Sequence, residues 1–173
     1  MCHDGGMDTD QPFEEDVDAR ILQFWVRNKG YAGVGDLDIV VGPQWGEAVP
    51  PPAWSYSETP KLADQFVDLI LTRQKTASTS LRQDYEEDEQ LPKAGDCSII
   101  LDGSGTPQVL IRTTEIEVVP FCEVSLTQAL AEGDCDDLES WRQTRLDEWE
   151  QSGLEVDDSS LVVWERFKVL YPS

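Results

Sequence analysis

A lysine and a serine that could act together in catalysis lie three positions apart, at Lys75 and Ser78. A serine hydroxyl is a weak nucleophile at its ordinary pKa and requires an adjacent base, which a lysine can provide when burial keeps its amine neutral. Residues three apart on an extended chain point to opposite faces, so the two side chains meet only if a turn separates a helix from a strand. Otherwise Lys75 is a surface cation near a helix C-terminus and Ser78 is an ordinary strand residue.

Further cationic and aromatic side chains could hold a ligand beside this pair. An arginine can bind an anion or stabilise a developing oxyanion, and an aromatic ring can stack on a base. The candidates are Arg73, Arg82, Arg112, Tyr85 and Trp54. Simpler roles are open to two of them, because Arg112 can pair with Glu115 or Glu117 across a sheet and Trp54 can serve as a core or hinge residue.

The elements that would position these residues follow from apolar spacing and turn signals. Residues 14–29 carry apolar side chains every three or four positions, which predicts a first helix. A second helix begins at Thr59-Pro60, where threonine can cap free amides and proline suits the first turn, and it ends near Arg73. Helices are also expected near residues 126–132 and 138–151. The second helix therefore delivers the chain to Lys75.

Four strands are predicted, over residues 76–81, 97–101, 108–121 and 161–170. In the long third strand the alternation slips near Thr113-Thr114, which predicts a bulge. The fourth strand has the mixed character of a sheet edge or a barrel seam. The domain organisation is then a disordered tail (1–12), a helix and connector packed on the core (13–57), and a main domain (58–173) with an acidic helical insertion (123–158).

Charge restricts the partners. The 173-residue chain carries 35 Asp and Glu against 13 Lys and Arg, a formal net charge of -22. A field of that sign repels phosphate backbones, which argues against nonspecific binding of DNA or RNA. A nucleoside or a short RNA remains open, since a local cluster can oppose the global field within a Debye length of about 8 Å. The acidic side chains of residues 126–158 are expected to lie on solvent-exposed helix faces.

Neither a membrane span nor a metal site is indicated. The longest apolar runs fall short of the roughly 18 residues that a span needs, and the first residues lack the basic and apolar regions of a secretory signal. We therefore expect a cytoplasmic protein. The four cysteines include no C-x-x-C pair and are expected to be free thiols, so no metal and no cofactor is predicted.

Several of these segments together resemble the ASCH family. They are the run Arg73-Gln74-Lys75-Thr76-Ala77-Ser78-Thr79-Ser80, the Pro-Lys-Ala-Gly-Asp turn, the hairpin after it, and a Trp-Glu-Arg-Phe strand near the C-terminus. The family signature is Gly-x-Lys-x-x-Thr-x-Arg. In this chain Lys75 matches it, whereas Arg73, Ser78 and Ser80 stand in for Gly, Thr and Arg.

The resemblance implies an α+β fold, a PUA-like mixed or antiparallel β-barrel with flanking helices and a cleft beside the signature. Some members look like amidohydrolases acting on acetylated cytidine, and others are described as RNA-binding or RNA-cleaving. Carried over by position, Lys75 is the base, Ser78 the nucleophile, and Glu132 or Asp134 the proton donor. The loss of the second signature cation at Ser80 must then be made good by Arg73, Arg82 or Arg112.

Three hypotheses follow. The first is a cleft around Lys75 that binds RNA, a nucleobase or a nucleoside without chemistry, and it is favoured because the catalytic signature is incomplete. The second is an amidohydrolase acting on an acylated nucleoside. The third is a protein-interaction module with an inactive cleft.

Overall fold

The computed structural model describes residues 17–34 and 49–173 of the chain. The tail predicted for residues 1–12 lies outside these ranges, as do the first residues of the first predicted helix. The described chain forms four α-helices and five strands, and the strands make one mixed sheet. The α+β class predicted from the sequence is therefore confirmed.

The four helices are α1 (Val17–Asn28), α2 (Pro60–Leu71), α3 (Leu126–Leu130) and α4 (Leu138–Gln151), and they differ in how their first turns are capped. Capping boxes begin α3 at Ser125 and α4 at Asp137. Pro60 lies in the first turn of α2 as predicted, but the Thr59 side chain makes no capping bond. In the part of the chain that the structure describes, no helix is long and apolar enough to cross a bilayer.

The strands are β1 (Ala53–Trp54), β2 (Ala77–Leu81), β3 (Cys97–Leu101), β4 (Pro107–Pro120) and β5 (Leu161–Tyr171). Their order across the sheet is β1-β3-β4-β5-β2. β1 runs parallel to β3, and the other neighbours are antiparallel. The predicted bulge in β4 is confirmed, because the pairing register shifts between Thr113 and Glu115. Of the two placements predicted for β5, a sheet edge or a barrel seam, the edge is wrong, since β5 pairs with both β4 and β2.

The sheet formed by the described residues does not close on itself, so the predicted barrel is open. Its edges are β1 and β2, and no backbone pairing joins them within residues 17–34 and 49–173. Trp54 on β1 and Ser78 on β2 nevertheless line the same cleft. The cleft thus lies at the open side of the sheet, and the inner strands β4 and β5 also contribute residues to its wall.

Three apolar clusters hold the helices on the sheet. α2 buries Val67 and Ile70 against residues of β3, β4 and β5. α1 buries Trp25 against β3 and β4, and α4 buries Trp141 beside β2 and β5. Burying a large apolar side chain is worth about 1.5–3 kcal/mol, so each cluster fixes its helix firmly. α2 and α4 are the two that carry or support the site.

Candidate functional site

Lys75 lies in a turn between α2 and β2, as the hypothesis of a Lys75–Ser78 pair requires. Arg73, at φ 62, turns the chain in a left-handed conformation after the helix. The Lys75 backbone N–H then bonds to the Leu69 carbonyl, and β2 begins two residues later. The Lys75 side chain is only 2% exposed, and its Nζ donates a hydrogen bond of 2.8 Å to the Ala77 carbonyl. The amine is therefore held inside the protein, at the wall of the cleft.

Two aromatic rings cover the Lys75 amine. Its Nζ lies 4.8 Å from the ring centroid of Tyr56 and 5.4 Å from that of Phe66. Trp54 packs edge-to-face on Tyr56, with centroids 4.5 Å apart. Cations are attracted to ring faces at such distances, and the same rings offer flat apolar surface to a ligand.

The turn after α3 brings Glu132 beneath Lys75. The Ala131 carbonyl accepts the backbone N–H groups of Thr76 and Ala77, at 2.8 and 3.1 Å. Gly133 has φ 77, and a Cβ there would lie 2.4 Å from the Gln74 carbonyl oxygen. Only glycine permits this approach, which sets Glu132 against the signature segment.

The Glu132 carboxylate is the centre of the buried polar network. The residue is 1% exposed, and its Oε2 lies 3.9 Å from Lys75 Nζ. Its Oε1 accepts the Thr79 hydroxyl at 2.6 Å and the Trp141 indole N–H at 2.9 Å. A buried carboxylate needs such partners, because an unpaired charge in the interior is strongly unfavourable.

Arg145 on α4 completes the network. Its Nε lies 3.7 Å from Glu132 Oε2, and its terminal nitrogens bond to Asp134 and Glu148. Burial alone would lower the pKa of Arg145, but Glu132, Asp134 and Glu148 together raise it above its ordinary value. Arg145 is therefore a fixed cation beside the cleft.

Lys75 is under opposing influences. Burial lowers the pKa of Lys75, Glu132 opposes that effect, and Arg145 adds to it. The net direction is downward, towards a neutral amine. A lowered pKa is what a lysine needs to act as a base, and it also makes the amine a better partner for an uncharged ligand.

A second polar set lies on the inner strands. Thr113 of β4 donates a short hydrogen bond to the Oε1 of Glu165 on β5. Burial raises the pKa of Glu165, the Thr113 hydrogen bond offsets part of the rise, and Asp96 adds to it. Tyr85 and Ser80 share a hydrogen bond of 3.0 Å at the rim. The whole cleft measures about 1290 Å³.

The structure brings together five of the residues singled out from the sequence and leaves four outside. The cleft is lined by Lys75, Ser78, Glu132, Tyr85 and Trp54. No hydrogen bond joins Lys75 to Ser78 within the described ranges, and Thr79 is the hydroxyl that meets Glu132.

The four others point elsewhere. Arg73 bonds to the Pro172 carbonyl, Arg82 to the Tyr85 carbonyl, and Arg112 to the Ala32 carbonyl beyond α1. Asp134 is held by Arg145 and does not line the cleft. None of the three arginines is therefore in a position to replace the missing signature cation at Ser80.

Sequence reasoning missed Arg145, Tyr56, Thr79 and Glu165. A signal for Arg145 exists, because Trp141, Arg145 and Trp149 are spaced by four and so share one helix face. All three are buried. A cation in the middle of an apolar stripe indicates a buried ionic partner. Glu165 and Tyr56 carry no such signal. The place of Glu165 depends on the long-range pairing of β5 with β2, and Tyr56 follows β1, which pairs with β3.

The described residues show no metal-binding cluster. No group of three or more His, Cys, Asp or Glu side chains in residues 17–34 and 49–173 converges on one point. Three cysteines in these ranges, Cys97, Cys122 and Cys135, are free thiols.

Comparison with known proteins identifies the family. The ASCH domain model matches residues 52–171. The structure of a protein from Enterococcus faecalis V583, of the family DUF984, is 30% identical and superposes with a TM-score of 0.65, covering 83% of this chain and 88% of that one. An ASCH domain from Lactobacillus crispatus JV V101 is 24% identical, with a TM-score of 0.67 and coverage of 92% and 98%. A comparison with curated proteins gives no match.

The fold is thus that of ASCH domain structures. Since the family model spans more than half of the residues, the chain belongs to the ASCH domain family.

Proposed function

We propose that this chain binds a single nucleobase in the cleft beside Lys75, presented by a nucleoside or by the end of a short RNA. One observation carries the proposal: the Lys75 amine is buried in the cleft wall under two aromatic rings, 3.9 Å from the Glu132 carboxylate. Aromatic surface beside a few fixed polar groups is the usual composition of a site for a flat, polar heterocycle.

The aromatic wall supports stacking. Trp54 and Tyr56 line the cleft with Phe66, and their mutual packing leaves little freedom to any of the three rings. Stacking of a base on an aromatic side chain contributes about 1–3 kcal/mol. The volume of about 1290 Å³ is ample for a nucleoside.

The charges of the cleft favour an uncharged ligand. Among the described residues that line it, Lys75 and Arg145 are the only basic ones. The acidic ones are Glu58, Glu89, Asp96, Glu132, Glu148 and Glu165. Both bases are already engaged with Glu132, so no free cation is left to bind a phosphate. A polyphosphate chain is therefore a poor fit, whereas a nucleoside or a single terminal base is not repelled.

Titration calorimetry of the full chain tests the proposal. Cytidine, uridine, adenosine and guanosine are titrated separately, followed by single-stranded RNA of four and of twelve nucleotides. We expect at least one nucleoside to bind, and Lys75→Met to weaken that binding by at least about tenfold because the amine contacts the ligand. The matched control is Lys168→Met, an exposed lysine of β5. No binding of any probe would refute the proposal.

Hydrolysis of an acylated nucleoside is a second candidate function. The observation that favours it is the lowered pKa of Lys75, in a cleft that also presents the Ser78 and Thr79 hydroxyls and Glu132. The Ser78 oxygen would attack the amide carbon as its proton passes to Lys75. The leaving amine would take a proton from the Lys75 and Glu132 pair, and water would then release the acyl group from the serine.

Mass analysis after incubation with N4-acetylcytidine separates the two candidates. Formation of cytidine and acetate that is lost in Lys75→Met and in Ser78→Ala supports hydrolysis. Turnover that persists in Ser78→Ala and is lost in Thr79→Val would assign the nucleophile to Thr79. Binding of the intact compound without turnover leaves the binding function alone.

A further inference from the structure

A second set of polar groups faces the cleft and makes no hydrogen bond or ion pair with Lys75. Glu165 of β5 lies opposite Ser78 of β2 in the pairing register, and it lines the cleft with Thr113 of β4 and Tyr56. The hydrogen bonds that hold Glu132 come from Thr79 and Trp141, not from this set. These residues therefore need an explanation of their own.

Glu165 is fixed in position but only half satisfied. Its Oε1 receives the Thr113 hydroxyl, and Thr113 itself is 3% exposed beside the β4 bulge. Its Oε2 has no hydrogen-bond partner in residues 17–34 and 49–173. A carboxylate can accept several hydrogen bonds, so one oxygen remains available towards the cleft.

Tyr56 presents an unpaired hydroxyl in the same wall. The oxygen is buried and has no hydrogen-bond partner in the described chain. Burial raises the pKa of this phenol, and the nearby Ser78 hydroxyl offsets part of the rise without meeting hydrogen-bond geometry. Glu165 and Glu132 raise it further, and both carboxylates line the same cleft as the phenol.

Buried polar groups without partners are rare, because each costs free energy until something pairs with it. Here an unpaired donor and an available acceptor occur in one cleft wall. A ligand that carries the complementary pair would satisfy both at once. Neighbouring N–H and acceptor atoms are what the hydrogen-bonding edge of a nucleobase offers.

We infer that Glu165 and Tyr56 form the base-reading end of the cleft. Glu165 Oε2 accepts an N–H of the ligand, and the Tyr56 hydroxyl donates to the acceptor atom beside that N–H. The ligand is thus a heterocycle with an N–H next to an acceptor, and Thr113 is a positioning residue that aims the carboxylate. This inference rests on the proposed binding of a nucleobase.

Matched pairs of nucleosides test it by calorimetry on the full chain. Uridine is compared with 3-methyluridine, and cytidine with N4,N4-dimethylcytidine, in which methyl groups replace N3–H and both N4–H bonds respectively. The Glu165→Gln variant separates the lost hydrogen bond from the added bulk of the methyl groups. We expect the unmethylated member of the bound pair to bind at least about tenfold tighter, the value of one hydrogen bond to a charged acceptor. In Glu165→Gln the preference should fall to about threefold or less, because an amide oxygen is a weaker acceptor.

Glu115→Gln is the matched control, since Glu115 is an exposed carboxylate of β4 that does not line the cleft. It should keep the full preference. Tyr56→Phe gives a second readout: the ligand-free variant should melt no lower than the parent, because no hydrogen bond is lost, yet bind more weakly.

The possible outcomes distinguish nucleobase binding by the cleft from the roles assigned to Glu165 and Tyr56. Failure of every nucleoside to bind would overturn the proposed function and this inference with it. Equal affinity for methylated and unmethylated members would overturn the inference alone, as would a preference that survives in Glu165→Gln. A clear fall in the melting temperature of Tyr56→Phe would show that the hydroxyl already has a partner, and would remove its assigned role.

Discussion

The Glu132 carboxylate lies 3.9 Å from the Lys75 amine, and both side chains are almost completely buried. Neither residue could remain charged there alone. Arg145, Thr79 and Trp141 complete the shell around Glu132, so the cleft wall contains a compensated polar network. The stability of that network and the binding properties of the cleft are therefore linked.

Replacing Glu132 by glutamine should destabilise the protein strongly. The change keeps the shape but removes the carboxylate that Lys75 and Arg145 share. Breaking a buried ion pair costs about 3–5 kcal/mol when the remaining charge has no other partner, and because Arg145 retains Asp134 and Glu148 we expect a loss towards the lower end of that range. Urea denaturation monitored by tryptophan fluorescence measures the loss. Glu150→Gln, on the exposed side of α4, is the control and should stay within about 0.5 kcal/mol of the parent. Equal stability of the two variants would show that Lys75 and Arg145 do not depend on the Glu132 carboxylate.

Two glycines with the same backbone conformation should respond differently to alanine. Gly133 and Gly153 both have φ 77, so the strain of a left-handed alanine, about 1–2 kcal/mol, is common to both. Only at Gly133 does a Cβ collide with backbone, 2.4 Å from the Gln74 carbonyl oxygen, while at Gly153 nothing lies within 4 Å. Differential scanning calorimetry should show a far lower melting temperature for Gly133→Ala. Similar values would mean that the turn after α3 can move away from Lys75.

The stability of the protein should depend on Lys75 in alkaline solution. Burial lowers the pKa of this lysine below the ordinary 10.5, so between the two values the unfolded chain binds more protons than the folded one. The parent should therefore gain stability relative to Lys75→Met as the pH rises from the folded pKa towards 10.5. Unfolding free energies of both proteins, measured at intervals from pH 7 to 10.5, give the difference. If the parent instead lost stability relative to Lys75→Met as the pH rises, the effect of Glu132 on the pKa of Lys75 would outweigh that of burial.

Charge should make the cleft prefer nucleosides to nucleotides. Six carboxylates line it, and both bases are engaged, so a 5′-monophosphate should bind at least about tenfold more weakly than its nucleoside at low salt. The gap should shrink as salt screens the repulsion. Glu148→Gln should narrow it as well, whereas Glu139→Gln on the same helix, outside the cleft, should not. Tighter binding of the nucleotide would contradict the assigned electrostatics.

The sequence predicted the elements better than it predicted the site. α2, the long strand β4 with its bulge and the paired helices α3 and α4 follow from local spacing and turn residues, which act over short distances. β1 was missed because a strand of two residues has no period to detect. The interior position of β5 was missed because edge and inner strands differ in their pairing partners, and the apolar and polar pattern of a strand does not identify those partners.

The same reasoning explains which site residues were found. Lys75 and Ser78 were named from a resemblance carried by a contiguous motif, and Glu132, as an alternative to Asp134, from its position after the long strand. Arg112 was named as a ligand-binding cation, but its strand presents it to the carbonyl of Ala32, away from the cleft. The arginine that lies beside Glu132 is Arg145, on helix α4, which is distant in sequence from Lys75.

A crystal structure of the full chain with a bound nucleoside would show whether the base occupies the cleft beside Lys75. The nucleoside with the highest affinity in the titration would be soaked or co-crystallised, and its base located in the electron density. We expect the base to stack against Trp54 or Phe66, within hydrogen-bonding distance of Lys75 Nζ and with its hydrogen-bonding edge towards Glu165 and the Tyr56 hydroxyl. Density for the nucleoside at any other surface, with the cleft beside Lys75 left to solvent, would contradict this expectation.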